Sequence, residues 1–329
     1  MPHIHLPVTG RPQVVIEAAE ERAITDLDPA AIVDLYKSHG AILFRGFGVD
    51  VGYFGRFVRQ FCTTSVTNES AGRQAIDADA NIHTVDGGVS EFSLHPELSR
   101  EPWKPDVAFF GCLSAPSYGG RTTICDGVAL AREMSEPVRR ALADRRLLYL
   151  KPTWPSLLEY WLGTATPTDR QLAAPPAGCP YQFRRYPENG PENGPENGIV
   201  AFFSRPALHR PMFIDAPAFG NFLLFARFNH GRPDHPVLDD GSLVPEAWLQ
   251  NIKATGDRLS VAIDWQPGDL LMLDNTRFMH GRTAILDPGE RLIQTYFGYL
   301  GFAIPDPEEP VDAIWRRENF VPPRRPDHP

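Results

Sequence analysis

The chain has 329 residues, of which 42% are hydrophobic and 22% charged, and its formal net charge is −9. These values predict a soluble globular protein with a sizeable core, and the acidic balance argues against nucleic acid or an anionic membrane as the main partner. No apolar run approaches membrane-spanning length, and the N-terminus lacks the apolar segment of a signal peptide. No cysteine pair has CxxC spacing, which favours a cytoplasmic protein with free thiols over a disulfide framework or a zinc site; the cysteines are Cys62, Cys112, Cys125 and Cys179.

The first 61 residues predict two helices around a buried strand. Asp28 is a suitable N-cap and Gly40 a suitable terminator, so a helix is expected over residues 28–39. The apolar run 41–47 predicts a strand. Apolar residues at helical spacing predict a second helix over 50–61.

The next part of the chain predicts loops and short strands. Residues 63–90 are polar and contain glycine, which indicates loop with short extended pieces. Strands are expected over 106–113 and 121–125. Asp126 and Ser135 are candidate caps for helices over 128–134 and 136–143.

Residues 151–206 differ in composition, because they are rich in Pro, Tyr and Trp and contain three PENG repeats at 187–198. Asn-Gly is a turn dipeptide, and repeats of this kind cannot build a core. A flexible loop is therefore expected, and its flanks are candidates for a lid over a site. The whole chain, 1–329, is expected to form one domain with this segment as an insert.

The last third predicts a helix over 245–254 and an alternating strand over 259–265. Residues 264–299 then read as three strands. The second ends at Asp274-Asn275, a loop carries His280, and Arg291 lies near the start of the third. Short strands joined by Gly and Pro turns predict a mainly β fold, a sandwich or barrel-like core with peripheral helices.

His95-Pro96-Glu97 is the first candidate for chemistry. In extended backbone, residues two apart point to the same side, so His95 and Glu97 could face one metal ion. A chance pairing of a surface histidine with a solvated glutamate is the alternative. Together with His280, the pair would give two histidines and one carboxylate, the ligand set of non-haem Fe(II) oxygenases.

Such an iron site leaves three positions for a bidentate keto acid and oxygen, and the far carboxylate of the keto acid needs a fixed cation. Arg291 follows His280 by eleven residues and is the candidate. Taken alone, Arg291 could equally be a surface arginine that ends a hairpin.

The order of these motifs resembles the TauD/TfdA superfamily of Fe(II)/2-oxoglutarate oxygenases. The matching stretches are HPELSREPWKPDVAFFGC from His95, GGRTTICDG from Gly119, and GDLLMLDNTRFMHGRTAILDPGERL from Gly268. Within the superfamily the chain is most similar to clavaminate-synthase-like and syringomycin-type amino acid hydroxylases, which carry HxE, Gly-Gly-x-Thr and a distal His-Gly-Arg. The segment GAILFRGF from Gly40 matches as well, so the likeness runs to about Tyr299, broken by residues 151–206.

The resemblance implies a double-stranded β-helix, or jelly roll, with Fe(II), 2-oxoglutarate and O2 as cofactor and co-substrates. It implies His95, Glu97 and His280 as catalytic iron ligands, and Thr122 and Arg291 as the residues that bind 2-oxoglutarate. Arg282, in the His-Gly-Arg motif, is a second basic candidate. The expected partner is a small-molecule substrate, with neither nucleic acid nor membrane involved.

The implied reaction hydroxylates an unactivated C–H of a small amino-acid-derived or related acidic metabolite, with release of succinate and CO2. Glu97 favours hydroxylation or another oxidation over halogenation, because halogenating relatives lack this carboxylate. Two alternatives stay open. The same cofactor chemistry could end in desaturation, ring closure or cleavage at a heteroatom-bearing carbon, or the protein could be a non-catalytic metal-binding jelly roll.

Overall fold

The structure, a computed structural model, describes residues 1–21, 23–70, 72–186 and 198–323. The strands within these residues are β1 His3–His5, β2 Val14–Glu17, β3 Ala41–Arg45, β4 Cys62–Ser65, β5 Ala75–Asp77, β6 Ile82–Thr84, β7 Phe92–His95, β8 Val107–Ser114, β9 Thr122–Asp126, β10 Arg146–Pro152, β11 Gln182–Arg185, β12 Ile199–Pro206, β13 Val237–Leu238, β14 Val261–Ala262, β15 Leu270–Asp274, β16 Phe278–Arg282 and β17 Leu292–Leu300. The α-helices are α1 Pro29–His39, α2 Val51–Val58, α3 Gly127–Glu133, α4 Glu136–Ala143, α5 Pro155–Leu162, α6 Asp169–Ala173, α7 Leu223–Phe228 and α8 Glu246–Leu259.

The predicted starts of three helices are confirmed by their caps, but α2 ends at Val58 and not at residue 61 as predicted. Asp28, Asp50 and Asp126 each accept a backbone N–H at the start of a helix, at 3.0, 2.7 and 2.9 Å. Gly40 ends α1 with φ of 75°, a left-handed conformation that suits glycine. Ser135 precedes α4 as predicted, but its side chain makes no capping hydrogen bond.

Three sheets organise the described strands. The largest has the order β1-β2-β3-β15-β8-β17-β6-β5, and β4 also pairs with β17. A second sheet has the order β14-β9-β16-β7, and a third the order β11-β12-β10-β13. Each central strand of the large sheet pairs with a neighbour distant in sequence, so the fold is built from long-range contacts.

Alternation along the strands separates two cores on the faces of the large sheet. Leu43 and Phe110 belong to the larger core, together with residues of β7, β9 and β16 in the second sheet. Ile42 and Phe109, one position away, belong to the core formed with α1 and α2. Period-two side-chain direction produces this division, so the larger core lies between the first and second sheets.

In the stretch 259–299, two of the predicted strands are confirmed as β15 and β17, and two other details of the prediction are wrong. Helix α8 continues to Leu259 and β14 contains only Val261–Ala262, so the long alternating strand does not form. His280 lies inside β16 and not in a loop. The turn falls earlier, because Asp274 caps it by accepting the Thr276 amide at 2.8 Å.

The described residues of segment 151–206 are not a loop. They include α5, α6, β11 and β12, and the apolar side of α5 (Leu157, Leu158, Trp161 and Leu162) is buried in the larger core. Apolar burial therefore outweighs the turn-rich composition here. Most of the PENG repeat, residues 187–197, lies outside the described residues.

The cysteines and the helices add two general observations. The cysteines are all free, as predicted, and Cys112 and Cys125 are buried. Among the described helices, none combines the length and apolar character that crossing a bilayer requires.

Candidate metal centre

His95 and His280 lie side by side on neighbouring strands. Strand β16 runs between β7 and β9, and its register places His280 directly opposite His95. The two ring centroids are 4.6 Å apart. Cross-strand neighbours of this kind are held rigidly by the sheet, so the two imidazoles form a fixed pair.

Glu97 joins this pair from a turn. Strand β7 ends at His95, so the extended geometry predicted through Glu97 does not continue. Asn275 fixes the turn instead: its side chain accepts the Glu97 amide at 2.7 Å and donates to the carbonyls of Glu97 and Pro105 at 3.1 and 2.8 Å. As a result, Glu97 Oε2 is 3.6 Å from His280 Nε2.

Two donors engage the Glu97 carboxylate in the structure. Asn68 Nδ2 donates to Oε1, and Arg73 Nη2 donates to Oε2 at 3.2 Å. In addition, no three His, Cys, Asp or Glu side chains of the described residues are arranged ready to hold a metal ion. The motifs of the sequence point to neither Asn68 nor Arg73, because both belong to the loop-rich stretch 63–90.

The protonation states suit metal ligands. Burial lowers the pKa of His95 to about 4 and that of His280 to about 3, so both rings are neutral near pH 7. Burial opposes ionisation of Glu97, but the charge of Arg73, with His280, His95 and Asn68, outweighs it and holds the pKa of Glu97 below its ordinary value. His95 Nδ1 is 2.8 Å from the Ser93 carbonyl, which keeps the proton on Nδ1 and leaves the Nε2 lone pair free.

The distance between one pair of donor atoms also fits a shared metal ion. Donors about 2.1 Å from one metal lie roughly 3 Å apart at a right angle and about 4 Å apart when opposite. The 3.6 Å between Glu97 Oε2 and His280 Nε2 falls within that span. Two imidazoles and a carboxylate are the donor set of a non-haem Fe(II) centre, so the residues fit this ion once Oε2 is released from Arg73.

Aromatic side chains surround the histidines. The Phe225 ring centroid is 4.4 Å from that of His95, and the Phe110 centroid is 4.9 Å from that of His280. Phe110 is part of the large sheet and Phe225 of α7. The cluster therefore lies in the apolar layer between the two sheets, where Glu97 and His280 are buried and His95 is half-buried.

Thr122 begins β9 and faces the same layer. It is 3% exposed, and β16 places Arg282 opposite it. The Trp265 indole donates to Thr122 Oγ1 at 3.1 Å, which leaves the hydroxyl hydrogen of Thr122 for another acceptor. The sequence predicted Thr122 only through its family resemblance, and Trp265 was not predicted as a partner.

Arg291 approaches from the end of the large sheet. Its Nε donates to the Gly120 carbonyl at 2.6 Å. A side chain at Gly120 would place Cβ 2.9 Å from Arg291 Cδ, so this approach requires glycine. Burial, and then the charge of Arg282, lowers the pKa of Arg291 to about 10. In the described part of the chain, Arg291 forms no ion pair with a carboxylate.

Arg282 lies in a different environment from Arg291. Its guanidinium donates to the carbonyls of Asp86 and Ser90, both at 2.7 Å, and to that of Gly88. It also lies 4.0 Å above the Phe92 ring. The side chain therefore anchors the loop before β7 through both terminal nitrogens, while its buried Nε has no hydrogen-bond partner among the described residues.

Other histidines and polar side chains of the described residues have ordinary partners. His209 Nε2 lies 2.6 Å from the Thr276 carbonyl, and His230 packs against Phe225. Asn229 accepts the Ser93 amide at 2.8 Å, so it supports β7 rather than facing the cluster. Arg227 lies 3.5 Å from Glu246, and His83 lies in β6.

The buried histidines predict how stability depends on pH. Burial lowers the pKa of His209 to about 3, as it does for His280, and that of His95 to about 4. Between about pH 6.5 and 4 the unfolded chain binds protons at these positions that the folded chain does not, so stability falls as pH falls. Each such proton contributes about 1.4 kcal/mol per pH unit. Asp274, whose pKa burial raises to about 6, opposes part of this trend.

We therefore expect metal-free protein to unfold at clearly lower urea concentration at pH 5 than at pH 7.5. Equilibrium denaturation followed by fluorescence measures this midpoint. A midpoint that is unchanged or higher at pH 5 would contradict neutral, buried histidines.

Three comparisons place the chain among known proteins. The sequence profile described as taurine catabolism dioxygenase TauD, TfdA family matches residues 7–296. The dapdiamide synthesis protein DdaC of Enterobacter agglomerans is 22% identical over 319 residues, which is 87% of this chain and 91% of that protein. A clavaminate synthase-like protein of Arabidopsis thaliana is 23% identical over 276 residues, 79% of this chain and 82% of that protein.

A solved structure is similar over most of the chain. It is described as a putative alpha-ketoglutarate-dependent taurine dioxygenase from Burkholderia xenovorans. The TM-score is 0.59 and the identity 13%, with 94% of this chain and 93% of that chain covered. The predicted jelly-roll fold is thereby confirmed.

Proposed function

The chain belongs to the TauD/TfdA family of dioxygenases, whose members use Fe(II), 2-oxoglutarate and O2, and from this premise we propose which of its residues hold each ligand. His95, Glu97 and His280 bind the iron. Thr122 and Arg291 bind the 2-oxoglutarate. Residues 1–329 form one catalytic domain, in which segment 151–206 is an insert near the site.

The observation that carries the iron assignment is the arrangement of two neutral imidazoles and one ionised carboxylate in an apolar layer. His95 and His280 are cross-strand partners, and Glu97 Oε2 lies 3.6 Å from His280 Nε2. The contact from His95 Nδ1 to the Ser93 carbonyl directs the opposite ring nitrogen toward the cluster. Such a contact orients the ring of a metal ligand and increases its basicity.

The 2-oxoglutarate assignment rests on an arginine that lacks a carboxylate partner. Arg291 is tied to Gly120 through Nε, and its terminal nitrogens make no ion pair among residues that the structure describes. Thr122 lies two residues beyond Gly120. Its oxygen accepts a hydrogen bond from Trp265, so its hydroxyl hydrogen is available to donate to a ligand. A guanidinium and a hydroxyl donor suit the far carboxylate of a keto acid that chelates the iron.

Bound together, Fe(II), 2-oxoglutarate and O2 supply an oxidative decarboxylation, to succinate and CO2, that is coupled to oxidation of an unactivated C–H. The chain's own residues fix the positions of the side chains that bind these groups. The second sheet fixes the two imidazoles, and Asn275 fixes the turn that carries Glu97. Phe225 and Phe110 pack against the rings of His95 and His280.

The substrate is a small amino-acid-derived or related acidic metabolite, and the outcome is hydroxylation. Glu97 supports this outcome, because it occupies the iron position that halogenating relatives leave for chloride. Mass spectrometry of the product distinguishes the alternatives: hydroxylation adds one oxygen atom, whereas desaturation or ring closure removes two hydrogens.

Anaerobic titration tests the cofactor assignment. We expect a weak visible charge-transfer band when Fe(II) and 2-oxoglutarate are both added to metal-free protein, because chelation by the keto acid creates this transition. Fe(II) alone should not give the band. If both ligands together leave the visible spectrum unchanged, the oxygenase assignment fails and a non-catalytic metal-binding protein becomes the better description.

A further inference from the structure

Arg73 is a buried cation at the edge of the metal cluster. Its side chain is 9% exposed, and Nη2 lies 3.2 Å from Glu97 Oε2. Nη1 donates to Thr295 Oγ1 at 3.1 Å, and Thr295 in turn donates to the His83 carbonyl at 3.0 Å. The guanidinium carbon lies 4.9 Å from the centre of the Phe297 ring. Nη1 and the ring thus hold the side chain in place from one side.

On the opposite edge of the Arg73 guanidinium, one N–H donor has no hydrogen-bond partner among the described residues. Nε is buried and has no hydrogen-bond partner in the part of the chain that the structure describes. Nε and Nη2 share one edge of a guanidinium, and this edge offers two parallel N–H donors. Nη2 presently contacts Glu97, so the edge is freed completely when Glu97 Oε2 turns to a metal ion.

The charges around the cluster leave one positive charge unmatched in the loaded site. The two carboxylates of 2-oxoglutarate and the carboxylate of Glu97 carry three negative charges in total. They balance the two positive charges of Fe(II) and the one of Arg291. Arg282 and Arg73 both lie near Asp86, and both charges help to lower its pKa against the effect of burial. One carboxylate can balance only one of these two arginines, so the loaded site keeps one positive charge in excess, and a buried charge is unfavourable unless it is paired.

We propose that Arg73 binds an anionic group of the primary substrate, a carboxylate or its equivalent, through its Nε and Nη2 edge beside the metal. This inference rests on the proposed function of the site, and it names Arg73 as the residue that recognises the acidic group of the substrate. Planar two-donor recognition favours a carboxylate over a single polar atom. Asn68 is not the candidate, because its amide is committed to the other oxygen of Glu97.

Matched pairs of small molecules test the proposal without turnover. The probes are the standard L-amino acids and their N-acetyl derivatives, each paired with its C-terminal carboxamide. Binding is measured under nitrogen, as the change that each probe causes in the charge-transfer band of protein loaded with Fe(II) and 2-oxoglutarate. We expect at least one acid to bind wild-type protein about 10-fold or more tightly than its amide, the ratio for loss of a charge-assisted hydrogen bond.

Variants then assign the preference to Arg73. Arg73→Gln should bind acid and amide about equally, and Arg73→Lys should restore part of the preference because it keeps the charge but not the fork. Arg56→Gln is the matched control, since Arg56 is exposed and stacks on Tyr53 at 4.4 Å, in α2. Thermal melting of each variant shows whether it is folded.

The outcomes separate this inference from the function beneath it. If wild-type protein gives no charge-transfer band, the proposed function fails and the inference fails with it. If the band forms but no acid binds more tightly than its amide, the role of Arg73 is overturned and the iron assignment stands. A folded Arg73→Gln variant that keeps the wild-type preference overturns it equally.

Discussion

Replacing His280 with alanine is expected to abolish 2-oxoglutarate-dependent succinate formation, with a loss of more than about 100-fold. Loss of a group that merely orients a metal ligand costs about 10- to 100-fold, and a ligand itself should cost more. His95 is held on the neighbouring strand opposite His280, so it cannot also supply the nitrogen that the substitution removes. Succinate released per unit time, and Fe(II) retained after gel filtration under nitrogen, measure the effect.

His209→Gln is the matched control for this experiment. His209 resembles His280 in chemistry, because burial lowers the pKa of both to about 3. It differs in its partner, since Nε2 lies 2.6 Å from the Thr276 carbonyl and not beside a carboxylate. A glutamine amide can still donate to that carbonyl, so iron binding should persist. Normal turnover by folded His280→Ala protein would refute the ligand assignment.

The second large effect is expected at Arg291. Arg291→Gln should raise the KM for 2-oxoglutarate roughly 10- to 100-fold, because hydrogen bonds to charged groups contribute about 1.5–3 kcal/mol. Iron binding without 2-oxoglutarate should change little, since Arg291 approaches through Gly120 and not through the histidines. Titration of 2-oxoglutarate against succinate release measures the shift.

Two further variants define what Arg291 contributes. Arg291→Lys should lie between wild type and Arg291→Gln, because lysine keeps the charge but lacks the planar fork. Arg121→Gln is a control from the same region, since Arg121 pairs with Asp264 at 3.3 Å on the surface. An unchanged KM in Arg291→Gln would move the carboxylate-binding role to another residue.

Local sequence signals predicted the individual elements well where one interaction decides the outcome. Asp28, Asp50 and Asp126 cap helices because a carboxylate accepts N–H groups two or three residues away, a contact that needs no tertiary structure. The strand predicted over 259–265 does not form, because its apolar residues are compatible with both helical and strand periodicity. Packing of α8 against its neighbours extended the helix through Leu259.

The same limit applies to segment 151–206. Its proline and turn content indicated a loop, yet α5 buries Trp161 and its apolar neighbours in the larger core. Composition measures average tendency, whereas burial depends on which surface is available to be covered. That surface is assembled from strands far away in the chain.

At the site, the candidate ligand types and their order along the chain, His95, Glu97 and His280 followed by Arg291, could be predicted from sequence motifs. The strand position of His280 opposite His95, and the turn of Glu97 that Asn275 holds, became visible only in the folded structure. The folded structure also brought Arg73, 24 residues before Glu97, to that carboxylate. The physical reason is that a motif fixes chemistry over a few residues, whereas strand register and burial fix which distant charges meet.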